Sequence, residues 1–452
     1  MDSLTLSEGL PTPKVRFPAA DVCIVGAGVS GLTAAKALKE QGVAFEGFEL
    51  GSDIGGMWRY ENDSGTSSAY RSLHIDSSRQ SLAWPDYKLS ESLPDYPSHS
   101  QMLAHFEAYA RHFDLYPHFR FRTRVMRLEP AEEEGHWKVH LQPRDKEDQG
   151  GEIRCYRNVI VANGHLSDPH YPDFPGEFHG TTLHSHHYRV ADPFQDRSVL
   201  VVGIGNSAVD IAVDLARHAR QVLLSTRRSA WIMPKYIAGV PTDRWLAFLV
   251  RRLRLPVPLA RGLMRHIARL SIGNQERFGV PRPKHPIWRE HATLSQDLLS
   301  YLGHGWIGMK PNIELLDGDE VRFTDGTREK VDAIIYATGY RASFPFLERD
   351  VFEVRQGVPP PLYRRIVAVE RPGLFFAGLV QPIGPTIPLV EIQARWMAKV
   401  LSGQLKLPAR EEMLAEIEAH RAKVARRYLN SPRYTLEVDF REYARELEAD
   451  LR

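Results

Sequence analysis

Two glycine-spaced strings in this chain have residue types suited to phosphate chemistry: Gly26-Ala27-Gly28-Val29-Ser30-Gly31 and Gly203-Ile204-Gly205-Asn206-Ser207-Ala208. In a G-x-G-x-x-G/A string the first glycine makes a tight turn and the second lets the backbone approach a pyrophosphate. The third position packs a new helix against the preceding strand. The helix N-terminus then offers free N–H groups and the positive end of its dipole to the phosphates. A chain that carries this turn twice is built to hold two dinucleotides against each other. The residues downstream of each turn separate the two sites. Glu49 comes about 20 residues after the first turn, where a carboxylate accepts hydrogen bonds from ribose hydroxyls and repels a 2′-phosphate. That site suits FAD or NAD. After the second turn stands Ser225-Thr226-Arg227-Arg228, with no acid. Arginine there suits the 2′-phosphate of NADP, and a solvated loop is the competing account of the pair. The expected assignment is FAD on Gly26, Gly28, Ser30, Gly31 and Glu49. NADPH is expected on Gly203, Gly205, Asn206, Ser207, Thr226, Arg227 and Arg228.

The elements that must position these residues are legible around them. Val22-Cys23-Ile24-Val25 precedes the first turn and a helix-like run, Val29 to Gln41, comes after it. Val199-Leu200-Val201-Val202 precedes the second turn, and Asn206 to Ala219 reads as its helix. Strands are expected at Val43–Phe48 and Gln221–Leu224. This strand–turn–helix setting is what an isolated glycine string lacks.

Further motifs carry a resemblance. Phe178-x-Gly180-x-x-x-His184-Ser185-x-x-Tyr188 matches F-x-G-x-x-x-H-x-x-x-[YF]. Gly55-Gly56-Met57-Trp58-Arg59 matches G-G-x-W-R, and Ala337-Thr338-Gly339-Tyr340 with Phe344-Pro345-Phe346-Leu347 matches A-T-G-Y…F-P-F-L. On these residues the chain resembles the flavin-containing monooxygenases, class B flavoprotein monooxygenases close to the Baeyer–Villiger monooxygenases. The matches run from residue 20 to 403, with residues 230–310 and both ends matched loosely. The resemblance implies that Gly56, Met57 and Trp58 lie beside the flavin. It implies that Thr338 and Gly339 bind cofactor, and that Gly378-Leu379-Val380-Gln381-Pro382 runs near the isoalloxazine ring, with Gln381 a contact. Asn206 and Ser207, matching the family's G-N-S, are expected at the seam between the cofactors with a catalytic role. It further implies the chemistry: NADPH reduces FAD, and a C4a-(hydro)peroxyflavin, capped by retained NADP+, oxygenates the substrate. Such a species survives where water is excluded.

One residue departs from the pattern. In Tyr70-Arg71-Ser72-Leu73-His74-Ile75-Asp76 the family usually has asparagine where this chain has Asp76; the Baeyer–Villiger cousins carry aspartate at the comparable place. Their motif usually ends W-P where this chain has Tyr188-Arg189. Asp76 is therefore a candidate catalytic residue, expected to be protonated beside a reduced flavin and to donate the hydrogen bond that asparagine would. An exposed turn acid is the alternative.

Composition narrows the rest. The hydrophobic share is 43% and the charged share 25%, ordinary for a globular chain; a net charge of +2 makes no electrostatic case for nucleic acid. The two cysteines, Cys23 and Cys155, form no C-x-x-C, which removes the dithiol reductases that share a paired-dinucleotide architecture. Cys155 is expected to open a strand. His179, His184, His186 and His187 crowd together, but their spacing is not that of a metal site, and no metal is expected. His184 is expected to shape the linker between domains. Met1 to Ala20 contains no signal-like apolar stretch, and no run reaches the roughly 18 residues of a spanning helix. Arg441 to Arg452 reads as a solvated helix rather than the hydrophobic anchor of membrane-bound relatives. A cytoplasmic protein is the resulting expectation.

The fold class expected is α/β, with two Rossmann-like dinucleotide-binding domains and the NADP domain inserted in the FAD domain. Residues 1–20 form a tail, 21–192 and 331–403 the FAD domain, 193–330 the NADP domain, and 404–452 a helical tail. Strands are expected within Phe119–Leu141, at Tyr156–Ala162 and at Val331–Ala337. Inside the NADP domain, Arg244 to Gln275 holds seven arginines and no acid, interleaved with Trp245, Leu246, Phe248, Leu249, Leu253, Leu263 and Met264. It reads either as an insertion packed on its apolar side or as a lid or membrane-surface segment, since basic faces beside such residues favour anionic interfaces. A homodimer stays open. The leading reading is an NADPH- and FAD-dependent monooxygenase that uses O2 on a nitrogen or sulfur atom of a small lipophilic substrate. Baeyer–Villiger oxygenation of a ketone is second, and an NADPH oxidase or electron-transfer flavoprotein is the reading from another class.

Overall fold

The computed structural model describes residues 15–133, 135–146, 151–287, 289, 292–355, 357–427 and 435–452. Its first sheet centres on β1 (Val22–Val25), which leads into helix α1 (Val29–Glu40). Strands β2 (Phe45–Phe48) and β3 (Asn158–Val161) flank β1 on either side, all parallel. Every residue of β1 is buried, because this sheet is covered on both faces and alternation has no solvent side to report. Val22 and Ile24 pack toward α1 and the helix Thr386–Leu401. Cys23 and Val25 pack toward a layer of antiparallel strands, Thr123–Pro130, Trp137–Pro143 and Glu152–Tyr156.

The second sheet is also parallel and centres on the second glycine turn. In chain order its parts are β4 (Thr181–His184), β5 (Ser198–Val202), helix α2 (Asn206–Leu215) and β6 (Gln221–Ser225). The amphipathic helix α3 (Val257–Ile272) comes next, then β7 (Ile307–Lys310) and β8 (Ala333–Tyr336). The strand order is β4-β8-β5-β6-β7. The chain rejoins the first sheet with the short antiparallel strands Leu362–Tyr363 and Val367–Ala368 and then β9 (Leu374–Phe376), which is parallel to β3. Then β10 (Gln381–Ile383) pairs in parallel with β11 (Glu437–Asp439), which leads into helix α4 (Phe440–Asp450).

Several expectations need correction. The expected exchange points at 192/193 and 330/331 do not coincide with the change of sheet. Thr181–His184 and Ala333–Tyr336 pair with each other, and the latter also pairs with Ser198–Val202, so both belong to the second sheet. An apolar strand announces that it is buried, not which sheet buries it. The single strand expected over Tyr156–Ala162 is two: one ends at Tyr156 and β3 starts at Asn158, in different sheets. Cys155 is next to last in its strand and opens none. Helix α2 stops at Leu215, short of Ala219.

The C-terminal helix is not solvated all round. Tyr443, Ala444 and Leu447 are buried on one face of α4, and the Tyr443 hydroxyl accepts from Gln393 and donates to the Arg364 carbonyl. Alternating charge hid a stripe with helical period. In the insertion, α3 buries Ala260, Met264 and Ala268 against Ile237, Leu249, Met233 and Ile287. Its other face leaves Leu259, Leu263 and Leu270 exposed, Leu270 at 87%. Among the described residues no helix is long and apolar enough to cross a membrane.

Candidate cofactor seam and active site

The first glycine turn is shaped by what a side chain would hit. Gly26 has φ 104°, and a Cβ there would lie 2.7 Å from the Ala162 carbonyl oxygen. A Cβ on Gly31 would lie 1.9 Å from the Gly26 carbonyl oxygen, so helix α1 can leave the turn at this angle only with glycine. Gly28 differs: the sole atom near its missing Cβ is the Gly56 Cα, at 3.9 Å. The Gly28 and Gly56 backbones thus approach closely, a Cβ on Gly56 lying only 3.1 Å from the Gly28 Cα, and Gly28 caps α1 with no side-chain hydrogen bond to its first N–H groups. Those features fit a pyrophosphate. Glu49 is buried; its carboxylate accepts the Ala27 N–H and the Gly51 N–H, each at 2.7 Å. Burial pushes the Glu49 carboxyl up, against the pull of these two N–H groups. The carboxylate is held against the turn, with lone pairs left for ribose hydroxyls.

Nearby, Asn62 donates to the Gly56 carbonyl at 3.0 Å and Ser67 to the Met57 carbonyl at 2.6 Å, which fixes the Gly56–Trp58 turn. A Cβ on Gly378 would lie 2.1 Å from Ser30 Oγ, so the stretch after β9 runs against the first helix. Gln381, further along, is exposed and its N–H donates to the Leu436 carbonyl.

The second turn repeats the geometry with one relaxation. Gly203 has φ 139°, and a Cβ there would meet the Ala337 carbonyl oxygen at 2.4 Å and the Ala208 Cβ at 3.2 Å. Gly205 caps α2, again with no side chain over its N–H groups. Thr338 and Gly339 come directly after Ala337, so they stand beside this turn. Thr338 donates to the His170 carbonyl at 2.5 Å, and His170 N–H donates to the Gly339 carbonyl at 3.0 Å. The Thr226 hydroxyl donates to the Arg228 carbonyl at 2.5 Å, while Arg227 and Arg228 are exposed at the end of β6. Burial lowers His170, helped by the positive charges of Arg341 and then Arg227. Arg341, whose guanidinium lies 3.2 Å from His170 Nδ1, is a second cation at this corner that sequence reasoning missed. It arrives on a distant segment, and no local signal pairs it with Arg227.

Between the two turns lies a polar seam. Asn206, Asp210 and Asp214 stand at i, i+4 and i+8 and so share one face of α2. Each is met from outside the helix. Asn206 donates its amide to Asp76 at 2.6 Å and accepts the Leu294 N–H at 3.0 Å. The Tyr70 hydroxyl donates to Asp210 at 3.0 Å, and the Tyr188 hydroxyl to Asp214 at 2.7 Å. Lys235 Nζ lies 3.3 Å from the other oxygen of Asp76. Tyr96 holds Lys235 through its carbonyl at 2.5 Å and places its ring 5.3 Å from the ammonium. Asp76 is therefore no exposed turn acid. It is half-buried and accepts the Asn206 amide. Ser207 comes next after Asn206 and is half-buried. Tyr70, Lys235 and Asp210 were not singled out from sequence. The detectable signal was the four-residue polar spacing in an otherwise apolar helix.

The F-x-G-x-x-x-H-x-x-x-Y motif gains a physical reading here. Tyr188 is 1% exposed and ties the linker to α2. His184 is buried, accepts the His186 N–H at 3.1 Å, and is pushed down to about 4 by burial, so it is neutral. Arg189 binds the carbonyls of His186, Tyr188 and Ser67, joining the linker to the segment that leads to Asp76. Among the described residues no group of three or more His, Cys, Asp or Glu is arranged to hold a metal ion.

Comparisons with known proteins agree with this geometry. A family model described as "FMO-like: Flavin-binding monooxygenase-like" matches residues 19–451. Flavin-containing monooxygenase 5 of Mus musculus is 35% identical over 445 residues, covering 95% of this chain and 82% of that protein. Dimethylaniline monooxygenase (N-oxide-forming) 2 of Rattus norvegicus is 34% identical over 449 residues, with the same coverages of 95% and 82%. Among solved structures, the S-allyl-L-cysteine S-oxygenase of Allium sativum superposes with a TM-score of 0.71 at 26% identity, over 97% of this chain and 88% of that one. Cyclohexanone monooxygenase from Rhodococcus sp. Phi1, bound to NADP+, superposes at 0.71 and 19% identity, over 97% and 98%, and shares the fold.

Proposed function

This chain belongs to the flavin-binding monooxygenase-like family, and from that premise we propose that it oxygenates a nitrogen or sulfur atom of a small lipophilic substrate. It is a flavin monooxygenase, an oxidoreductase that works with FAD and NADP(H). Bound FAD, reduced by NADPH, would supply the redox chemistry that activates O2 for transfer to the substrate. The chain's own residues bind and orient. The α1 N-terminus with Gly28 and Gly56 takes the FAD pyrophosphate and Glu49 a ribose. The α2 N-terminus takes the NADP pyrophosphate, and Arg227 with Arg341 the 2′-phosphate.

The observation that carries the reading is the Asp76–Asn206 hydrogen bond of 2.6 Å, which joins a segment of the first domain to the first turn of the second nucleotide helix. In this reading the side chains at that joint meet both cofactors. The names of two relatives, an N-oxide-forming enzyme and an S-oxygenase, support heteroatom oxygenation. Aspartate in place of the family's asparagine supports the second reading, Baeyer–Villiger oxygenation of a ketone. The exposed leucine and arginine face of α3 supports a further element of the reading, peripheral contact with an anionic membrane surface.

The test measures NADPH consumed, O2 consumed and product formed with a sulfide, a tertiary amine and a cyclic ketone offered separately. Sulfoxide or N-oxide in near one-to-one ratio to NADPH is the expected result. Ester formation instead would install the second reading. Hydrogen peroxide as the sole product with every substrate would replace both with an oxidase.

A further inference from the structure

Asp210 sits one turn below Asn206 on α2, between Asn206, which meets Asp76, and Asp214, which meets Tyr188. The titratable and charged groups around it are Tyr70, which donates to it at 3.0 Å, Asp76, Lys235, and Asp214 of its own helix. Lys235 is engaged with Asp76 at 3.3 Å. Lys235 offsets Asp76 only in part, Asp214 is held by Tyr188, and Asp210 is the most enclosed carboxyl of the group. Burial, and then the Asp76 carboxylate, push Asp210 up to about 7. The Tyr70 hydroxyl is itself driven far up by burial and by Asp210, so it stays protonated and acts as a donor to the carboxylate. A group of this kind on the helix that opens at the second glycine turn stands to feel the charge of what binds there.

We propose that Asp210 is a positioning residue that couples the seam to the redox state of the bound nicotinamide nucleotide, favouring the oxidised, cationic ring when ionised and the neutral reduced ring when protonated. The inference rests on the reading that the α2 N-terminus holds NADP(H). The linkage is a proton balance with no bond made or broken: NADP+ binding to the protonated form releases one proton to solvent as Asp210 ionises. Attraction between the ring and the carboxylate stabilises the ionised form, so affinity for NADP+ rises as pH rises through the Asp210 titration. One unit of charge acting over roughly 10 Å at an effective dielectric constant of about 20 corresponds to an affinity change of about tenfold.

The experiment uses the FAD-loaded protein and two probes, NADP+ and 2′-phospho-ADP-ribose, which lacks only the nicotinamide. Their common 2′-phosphate titration cancels in the ratio of dissociation constants. That ratio is expected to shift about tenfold in favour of NADP+ between about pH 6 and about pH 8 in the parent, and to stay flat in Asp210→Asn. A second measurement needs no variant. Calorimetry of binding in buffers of different ionisation enthalpy is expected to show NADP+ releasing a fraction of a proton more than 2′-phospho-ADP-ribose near neutral pH, the release from the shared 2′-phosphate being common to both. A flat ratio in the parent, equal slopes in parent and variant, or equal proton release with the two probes would overturn the inference while leaving the nucleotide site standing. Failure of both probes to bind at any pH would overturn the site as well.

Discussion

Replacing Arg227 with alanine tests the cofactor assignment at its most exposed point. Arg227 ends β6 in solvent, and its charge reaches His170 alongside that of Arg341. Lys310, whose carbonyl accepts the Thr226 N–H, is no substitute, because its ammonium is held by Glu329 at 2.6 Å. In that assignment Arg227 and Arg341, with Arg228 beside them, serve the 2′-phosphate, and all three are exposed. A charge-assisted hydrogen bond contributes about 1.5–3 kcal/mol, and exposure with a second cation nearby selects the lower end. Arg227→Ala is expected to raise the KM for NADPH about tenfold and leave that for NADH nearly unchanged. Adding Arg341→Ala is expected to multiply the loss by a similar factor. Steady-state rates with both cofactors are measured at one fixed ionic strength, because exposed charges are screened over about 10 Å at 0.1 M salt. Equal losses for NADPH and NADH in the single variant would refute the 2′-phosphate assignment, and no loss in the double variant would refute the place of the corner itself.

Asp76→Asn keeps an acceptor for the Asn206 amide but removes the charge that faces Lys235. It is expected to move product from ester toward sulfoxide when a ketone and a sulfide compete, and an unchanged ratio with unchanged peroxide yield would remove Asp76 from the oxygen chemistry. Tyr188→Phe deletes the hydroxyl that Asp214 accepts at 2.7 Å in a buried setting. A loss of about 1–3 kcal/mol in denaturant unfolding is expected, and a parental midpoint would show that the motif tyrosine does not secure the joint. For the insertion, flotation with anionic liposomes at low salt and release at high salt is expected from the Leu259, Leu263 and Leu270 face with its arginines. Absence of flotation, or flotation that Leu270→Gln with Leu263→Gln leaves unaltered, would restrict α3 to packing or a lid.

The two glycine turns could be read straight from the chain. Each rests on contacts within a strand, a turn and a helix, so glycine spacing and apolar runs suffice to describe it. Gly31, whose Cβ would collide with Gly26, and Glu49, which reaches back to Ala27, are both reporters of local geometry. Every pairing of distant segments, by contrast, came only with the folded molecule. Folding assigned Thr181–His184 and Ala333–Tyr336 to the second sheet, because hydrogen bonding between strands, not their composition, chooses neighbours. It turned the charged C-terminus into a half-buried helix on a strand that extends β10. Above all it brought Asp76, Tyr70, Tyr188 and Lys235 onto the Asn206–Asp210–Asp214 face of α2. Asp76 had stood out from sequence as a departure from a pattern. The lysine that balances it and the buried acid below it became visible only when the chain folded, since charges separated by more than a hundred residues interact through space and leave no spacing to read.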